Sequence, residues 1–221
     1  MKKIIITVIL LISCYLQAQV TKNLGDFDAV KVFDRLNVKL IPSDESKITI
    51  TGNRAEEVEI INKNGELKIR MPFPKLLKGN DIKIDLYFKK IESIDATEGS
   101  NIVCDIPFDQ TALSVNAKEA AKIKVIFGTQ KATIRAVSGG ILNLKGKTEN
   151  QEITLGSGGV LKAKDLISVQ TTITVSAGGE AEIYATTLVD ASVKAGGTIY
   201  IYGKPKQLNQ KTILGGKIIQ K

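Results

Sequence analysis

The 221-residue sequence contains no histidine and no tryptophan, two cysteines and five prolines, and aromatic residues make up only 5% of it. Without histidine, Ser-His-Asp and Cys-His catalysis and histidine-held metal sites are excluded. Proton transfer near neutral pH is left to shifted carboxylates, lysines or tyrosines. Cys14 and Cys104 are too few for a disulfide framework, so stability has to come from packing. There is also no Ser/Pro-rich stretch, charge block or low-complexity segment that could act as a linker, which favours one folded unit.

The sequence has one long apolar run, Ile4 to Ile12, preceded by Lys2 and Lys3 and followed by a stretch ending Leu16-Gln17-Ala18. This is the pattern of a secretory leader over residues 1–18. The run is too short to cross a bilayer core of ~30 Å as a helix, so no transmembrane segment is expected in the mature chain. Cleavage after Ala18 leaves Gln19 as the first residue. Leu11-Ile12-Ser13-Cys14 also resembles a lipobox, and in that alternative Cys14 is lipidated. Either route exports the protein, to the periplasm, the outer-membrane surface or the medium.

Without Lys2 and Lys3 the chain carries 29 basic and 23 acidic residues, a net charge of +6. The cations alternate with apolar residues, as at Lys122/Lys124 and Lys162/Lys164, which is the habit of a solvated strand face and not of a nucleic-acid patch. No nucleic-acid partner is expected.

The informative feature is a repeat. Glycine pairs stand at Gly139-Gly140, Gly158-Gly159, Gly178-Gly179, Gly196-Gly197 and Gly215-Gly216, in steps of 18 to 20 residues, and Gly99-Ser100 and Ala120-Ala121 extend the series upstream. With the second member of each pair set to zero, offsets −6, −4, +2 and +4 run through all seven copies. Offset −6, for example, gives Ile94, Val115, Ile134, Ile153, Ile173, Ala191 and Gln210. Of these 28 positions 25 are apolar, whereas offsets −7 and −5 are polar throughout. Alternation of period two belongs to strands with one buried face and cannot sit on a helix of period 3.6. Recurrence about every 19 residues lays each coil beside the previous one, ~4.8 Å further along an axis. The expected fold is therefore all-β: a single-domain parallel β-helix or solenoid over residues 19–221, with regular repeats over 91–221 and irregular coils over 19–90.

The glycines serve corners, either through unusual φ or because successive coils approach closely there. A phosphate cradle would instead feed a helix, and none follows. The three polar exceptions, Gln210, Thr212 and Gln220, all fall in the last copy and predict a closing coil. Upstream, the apolar pairs Val38/Leu40, Ile48/Ile50, Val58/Ile60, Leu67/Ile69 and Ile82/Ile84 predict half-coils of the same stack, with a tight turn at Asn64-Gly65 and a surface loop from Pro72 to Asn80.

The leader, the Ser-Gly-Gly and Ala-Gly-Gly repeats and the closing Tyr200-Ile201-Tyr202-Gly203-Lys204-Pro205 together resemble the bacterial family called putative auto-transporter adhesin, head GIN domain, across essentially the whole mature chain. The resemblance implies a parallel β-helix in the cell envelope and says little about activity. At Glu119-Ala120-Ala121 the chain departs from the pattern, which leaves that corner's geometry open.

No catalytic, metal or cofactor site is expected. Cys104 lies on an inward row with Val125 and Leu144 and reads as a small core residue. A polysaccharide-degrading enzyme would need facing carboxylates on adjacent coils. The outward acids Asp95, Asp105, Glu182 and Asp190 are scattered, and no row is expected to hold acids on neighbouring coils. For binding, Tyr184 and Tyr202 share offset +5 with Lys145 and Lys164, and Tyr200 stands at +3. These five residues form the candidate contact surface for a cell-surface glycan or an envelope protein, although tyrosines also simply suit exposed strand faces. An envelope scaffold without a small ligand is the alternative role.

Overall fold

The structure is a computed structural model and describes residues 19–221. The expected leader and Cys14 lie outside the described residues. Eight short strands come first: β1 (Gln19–Asn23), β2 (Ala29–Val32), β3 (Asn37–Pro42), β4 (Lys47–Thr51), β5 (Glu59–Lys63), β6 (Glu66–Arg70), β7 (Lys83–Phe88) and β8 (Ser93–Ala96). Five long ones follow: β9 (Asn101–Ala117), β10 (Lys122–Ala136), β11 (Ile141–Leu155), β12 (Val160–Ser176) and β13 (Glu180–Lys194). The chain closes with β14 (Thr198–Tyr202), β15 (Gln207–Ile213) and β16 (Lys217–Gln220).

Strands β9 to β13 are 15 to 17 residues long and pair in parallel, each running through one whole coil between glycine corners. Equivalent offsets meet in register, so Ile102, Ile123, Leu142, Leu161, Ala181, Ile199 and Ile218 form one row, and Val115, Ile134, Ile153, Ile173, Ala191 and Gln210 another. All 24 inward positions of the first six copies are buried. Burying every second residue of each coil against its like is the main source of stability in this fold.

The two residues of each glycine pair do different jobs. Ser138 and Gly139 are both left-handed, with φ of 50° and 74°, and the turn closes with Gly140 N donating to Val137 O at 2.9 Å. Gly140 meets the coil before it, where a Cβ would lie 2.2 Å from Ala117 O. Corners also bond to one another, Gly99 N to Glu119 O, Ala120 N to Ser138 O and Gly139 N to Ser157 O, at 2.9 to 3.1 Å. The alanine corner keeps the common geometry: Glu119 and Ala120 take φ of 54° and 59°, and Ala121 N donates to Lys118 O at 3.1 Å.

Coils of unequal length adjust at the far corner. Register shifts fall between Val125 and Phe127, between Asn143 and Lys145, and between Ala163 and Ile167. Inside that corner Phe88, Phe108 and Phe127 stack at centroid distances of 5.6 and 6.5 Å. Further along the axis a buried polar group of Thr148, Gln151, Ser168 and Thr171 takes over.

The upstream half corrects the expectation of simple half-coils. Strands β6 and β7 lie outside β2 and β3, which in turn pair with β8 and β9, so stack order departs from chain order. Strands β1, β4 and β5 close this end by antiparallel pairing, β5 and β6 joining through Asn64 and Gly65 at φ of 54° and 78°. At the other end β15 and β16 lay Gln210 over Ala191, Thr212 over Val193 and Gln220 over Ile201, a polar closing coil over the apolar rows.

Candidate ligand-binding face

The outward face of β9 to β14 carries the candidate residues. Tyr184 and Tyr202 are direct register partners on β13 and β14, one strand spacing apart (~4.8 Å), and Tyr200 stands beside Glu182. The three rings are half-buried. A Cβ on Gly203 would approach Tyr184 Cε1 to 3.0 Å, so the Tyr184 ring lies across that glycine. The Tyr202 hydroxyl donates to Glu182 Oε1 at 3.4 Å, and Lys221 Nζ stands 5.4 Å from the centre of the Tyr200 ring.

The lysine part of the expected row is corrected. Lys145 pairs with Asp165, not with Lys164, because β12 carries one extra residue relative to β11 after Lys162, and Tyr184 pairs with Ile167 because Lys164, Asp165 and Leu166 are extra residues of β12 relative to β13. Lys145 Nζ is bound to Asp165 Oδ2 at 3.0 Å. Lys164 remains close by, in a groove of about 620 Å³ whose wall includes Asn143, Lys145, Lys162, Asp165, Glu180 and Glu182. On the N-terminal side of this face Lys124 holds Asp105 at 2.8 Å, and that contact keeps the Asp105 carboxyl below the usual range.

Strand offsets do not reach one row of acids. Asp34, Glu98 and Glu119 occupy successive corners, since Arg35 N donates to Glu98 O and Gly99 N to Glu119 O. This corrects the expectation that no row holds acids on neighbouring coils; the column lies at the glycine corners, outside the strands. Asp34 is buried, and its carboxylate accepts from Met71 N and Leu77 N, each at 2.9 Å. The Thr97 hydroxyl donates to Glu119 Oε2 at 2.8 Å. Between them Glu98 is raised above the ordinary carboxyl value, by burial first and then by the Asp34 charge. Among the described residues no group of three or more His, Cys, Asp or Glu is placed to hold a metal ion.

Cys104 is fully buried and its thiol donates to Ile106 O at 3.2 Å. Burial pushes that thiol up to about 11. It stays protonated at neutral pH and lacks the thiolate that nucleophilic chemistry needs.

The sequence matches the family described as "Putative auto-transporter adhesin, head GIN domain" over residues 26–205. The chain belongs to this family. Among solved structures, a putative adhesin from Bacteroides fragilis superposes on the head GIN chain with a TM-score of 0.87 at 16% identity, covering 94% of this chain and 98% of the other. A putative adhesin from Parabacteroides merdae gives 0.71 at 17% identity, covering 94% and 97%. A structure named putative lipid binding protein, from Parabacteroides distasonis, gives 0.69 at 15%, covering 93% and 98%. At these identities the likeness shows the fold. No curated protein matches the chain. No helix among the described residues is long and apolar enough to cross a membrane.

Proposed function

We propose that this head GIN chain is an exported, non-catalytic adhesion module of the cell surface whose tyrosine face recognises a glycan. The observation that carries this reading is the side-by-side placement of Tyr184 and Tyr202 next to a groove walled by amide, carboxylate and ammonium groups. Sugar rings present an apolar C–H face and a rim of hydroxyls. Aromatic rings suit the face, and planar carboxylates and amides suit the rim.

Several features support a non-catalytic role. The chain has no histidine and the Cys104 thiol is protonated. In the acid column the Asp34 carboxylate is occupied by two backbone amides and Glu119 by a threonine hydroxyl. Family membership supports a surface-binding role.

The test is a glycan array and a cell-wall pull-down with the purified mature chain beside a Tyr184→Ser/Tyr202→Ser variant. Saturable binding lost in a variant that still melts cooperatively supports the reading and names the sugar class. Binding retained in the variant moves the site elsewhere. No binding by the folded wild type favours the scaffolding role.

A further inference from the structure

The loop between β6 and β7 holds three apolar side chains in water. Phe73 is 85% exposed, Leu76 45% and Leu77 43%. Their exposure does not come from a slack chain. Met71 is buried at the loop's entrance, and the buried Asp34 carboxylate grips the loop through the amides of Met71 and Leu77. Gly79 N donates to Asp34 O at 3.0 Å, so close to that backbone that a Cβ on Gly79 would lie 2.6 Å from the same oxygen. Lys75 pairs with Glu57 at 2.6 Å, and Arg54 donates to Lys78 O. The backbone is fixed in a shape that presents its apolar residues outward, and an apolar cluster held this way marks a contact surface.

We propose that this loop is where the protein rests on a phospholipid surface. Two observations favour a bilayer over a protein partner. First, cations flank the apolar residues: Lys78 directly follows Leu77, Arg54 is bonded to the loop itself, and Lys75 stands beside Leu76 with its ammonium paired to Glu57. At a bilayer the apolar groups enter the acyl boundary while ammonium and guanidinium groups stay at the phosphates.

Second, the loop lies at the end of the stack where the chain enters the fold. Gln19 pairs with Thr51, the next residue Gly52 lies against Asp81, and Arg54 reaches Lys78. The lipobox-like Cys14 is five residues upstream of Gln19, an extended reach of at most ~18 Å. An acyl chain there would insert at this same end, and one acyl chain alone anchors weakly without a second contact. The tyrosine face on β13 and β14 would then stand roughly 30 Å from the lipid, about seven strand spacings along the stack.

The chain has no tryptophan, so Phe73→Trp supplies a single fluorescent reporter at an exposed position. The experiment uses the protein from Gln19 onward, the whole of the described fold, with vesicles of phosphatidylethanolamine and phosphatidylglycerol. The expected result is a blue shift of the indole emission on adding vesicles and co-sedimentation with them. Phe73→Ser/Leu76→Ser/Leu77→Ser, with unchanged melting, should weaken that co-sedimentation at least tenfold. Emission indifferent to vesicles, or a triple variant that sediments like wild type, overturns the proposal. So does an emission already blue without vesicles that shifts red on dilution, which would assign the loop to a second copy of the chain.

Discussion

The Cβ that Gly140 lacks would lie 2.2 Å from the carbonyl oxygen of Ala117 on the preceding coil, while the Cβ missing from Gly139 would have no neighbour closer than 4.0 Å. The two glycines of one corner are thus required for different reasons. Gly139→Ala should cost about 1 kcal/mol, the strain of a left-handed φ on a residue with a Cβ. Gly140→Ala drives a methyl into fixed backbone and should cost about 1–3 kcal/mol as overpacking. Urea denaturation of the two variants should rank Gly140→Ala as the more damaging; equal effects would mean that the backbone around Gly140 shifts to admit a methyl and that the close approach to Ala117 is not what requires glycine there.

The inward rows are legible in the sequence because period-two alternation, anchored every 19 residues or so by glycine, leaves no second register for β9 to β14. Tyr184 and Tyr202 can be placed side by side on the same count, since β13 and β14 pair without a register shift. Lys164 falls out of its expected row because coils of unequal length must lose their extra residues somewhere, and β12 does so at Lys164 to Leu166, before the next in-register pair at Ile167. Apolar pairs such as Ile48/Ile50 announce a strand and say nothing of its direction, so the antiparallel closing strands β1, β4 and β5 and the inverted stacking order of β2/β3 and β6/β7 are illegible. The acid column is equally hidden, because Asp34 lies in the irregular half, where no glycine pair marks the corner.

Glu98 gives the protein a pH dependence of unusual sign. Its carboxyl is raised in the folded chain by burial and by Asp34, so folding favours the protonated form. Its stabilising contribution is complete below about pH 4.5, the ordinary value, and is lost as pH rises through the folded value. Glu98→Gln should therefore melt at the same temperature as wild type near pH 4 and slightly above it at pH 7. Because the group is partly solvated, the gain should be on the order of a few tenths of a kcal/mol, about 1 °C. Thermal melts at both pH values check this; a variant less stable at pH 7 would show that Glu98 acts as a partner and not as a strained charge.

Cys104 should be chemically silent in the native chain. With its thiol raised to about 11 and fully buried, a disulfide-exchange reagent at pH 8 should give no signal on the timescale of minutes. Among the described residues Cys104 is the one cysteine, so denaturant should release one equivalent of reactive thiol. Reaction without denaturant would indicate local opening of β9 near the far corner.

The buried polar group near that corner invites a comparison of two deletions. The Ser168 hydroxyl donates to Tyr184 O at 2.8 Å, lies 2.8 Å from the Thr171 hydroxyl and accepts from Gln151 Nε2 at 3.0 Å. Gln151 itself donates to Ser168 and Thr171 but leaves its Oε1 buried without a partner. Ser168→Ala strands the Tyr184 carbonyl and part of the Gln151 amide, and should cost about 1–3 kcal/mol. Gln151→Met removes an already unsatisfied oxygen and leaves Ser168 and Thr171 bonded to each other, so it should change stability by less than about 1 kcal/mol, in either direction. The network is organised by the serine, and the glutamine is its dispensable member. Denaturation of the two variants decides this: a larger loss from Gln151→Met than from Ser168→Ala would reverse the roles and show that the glutamine amide holds the two coils together.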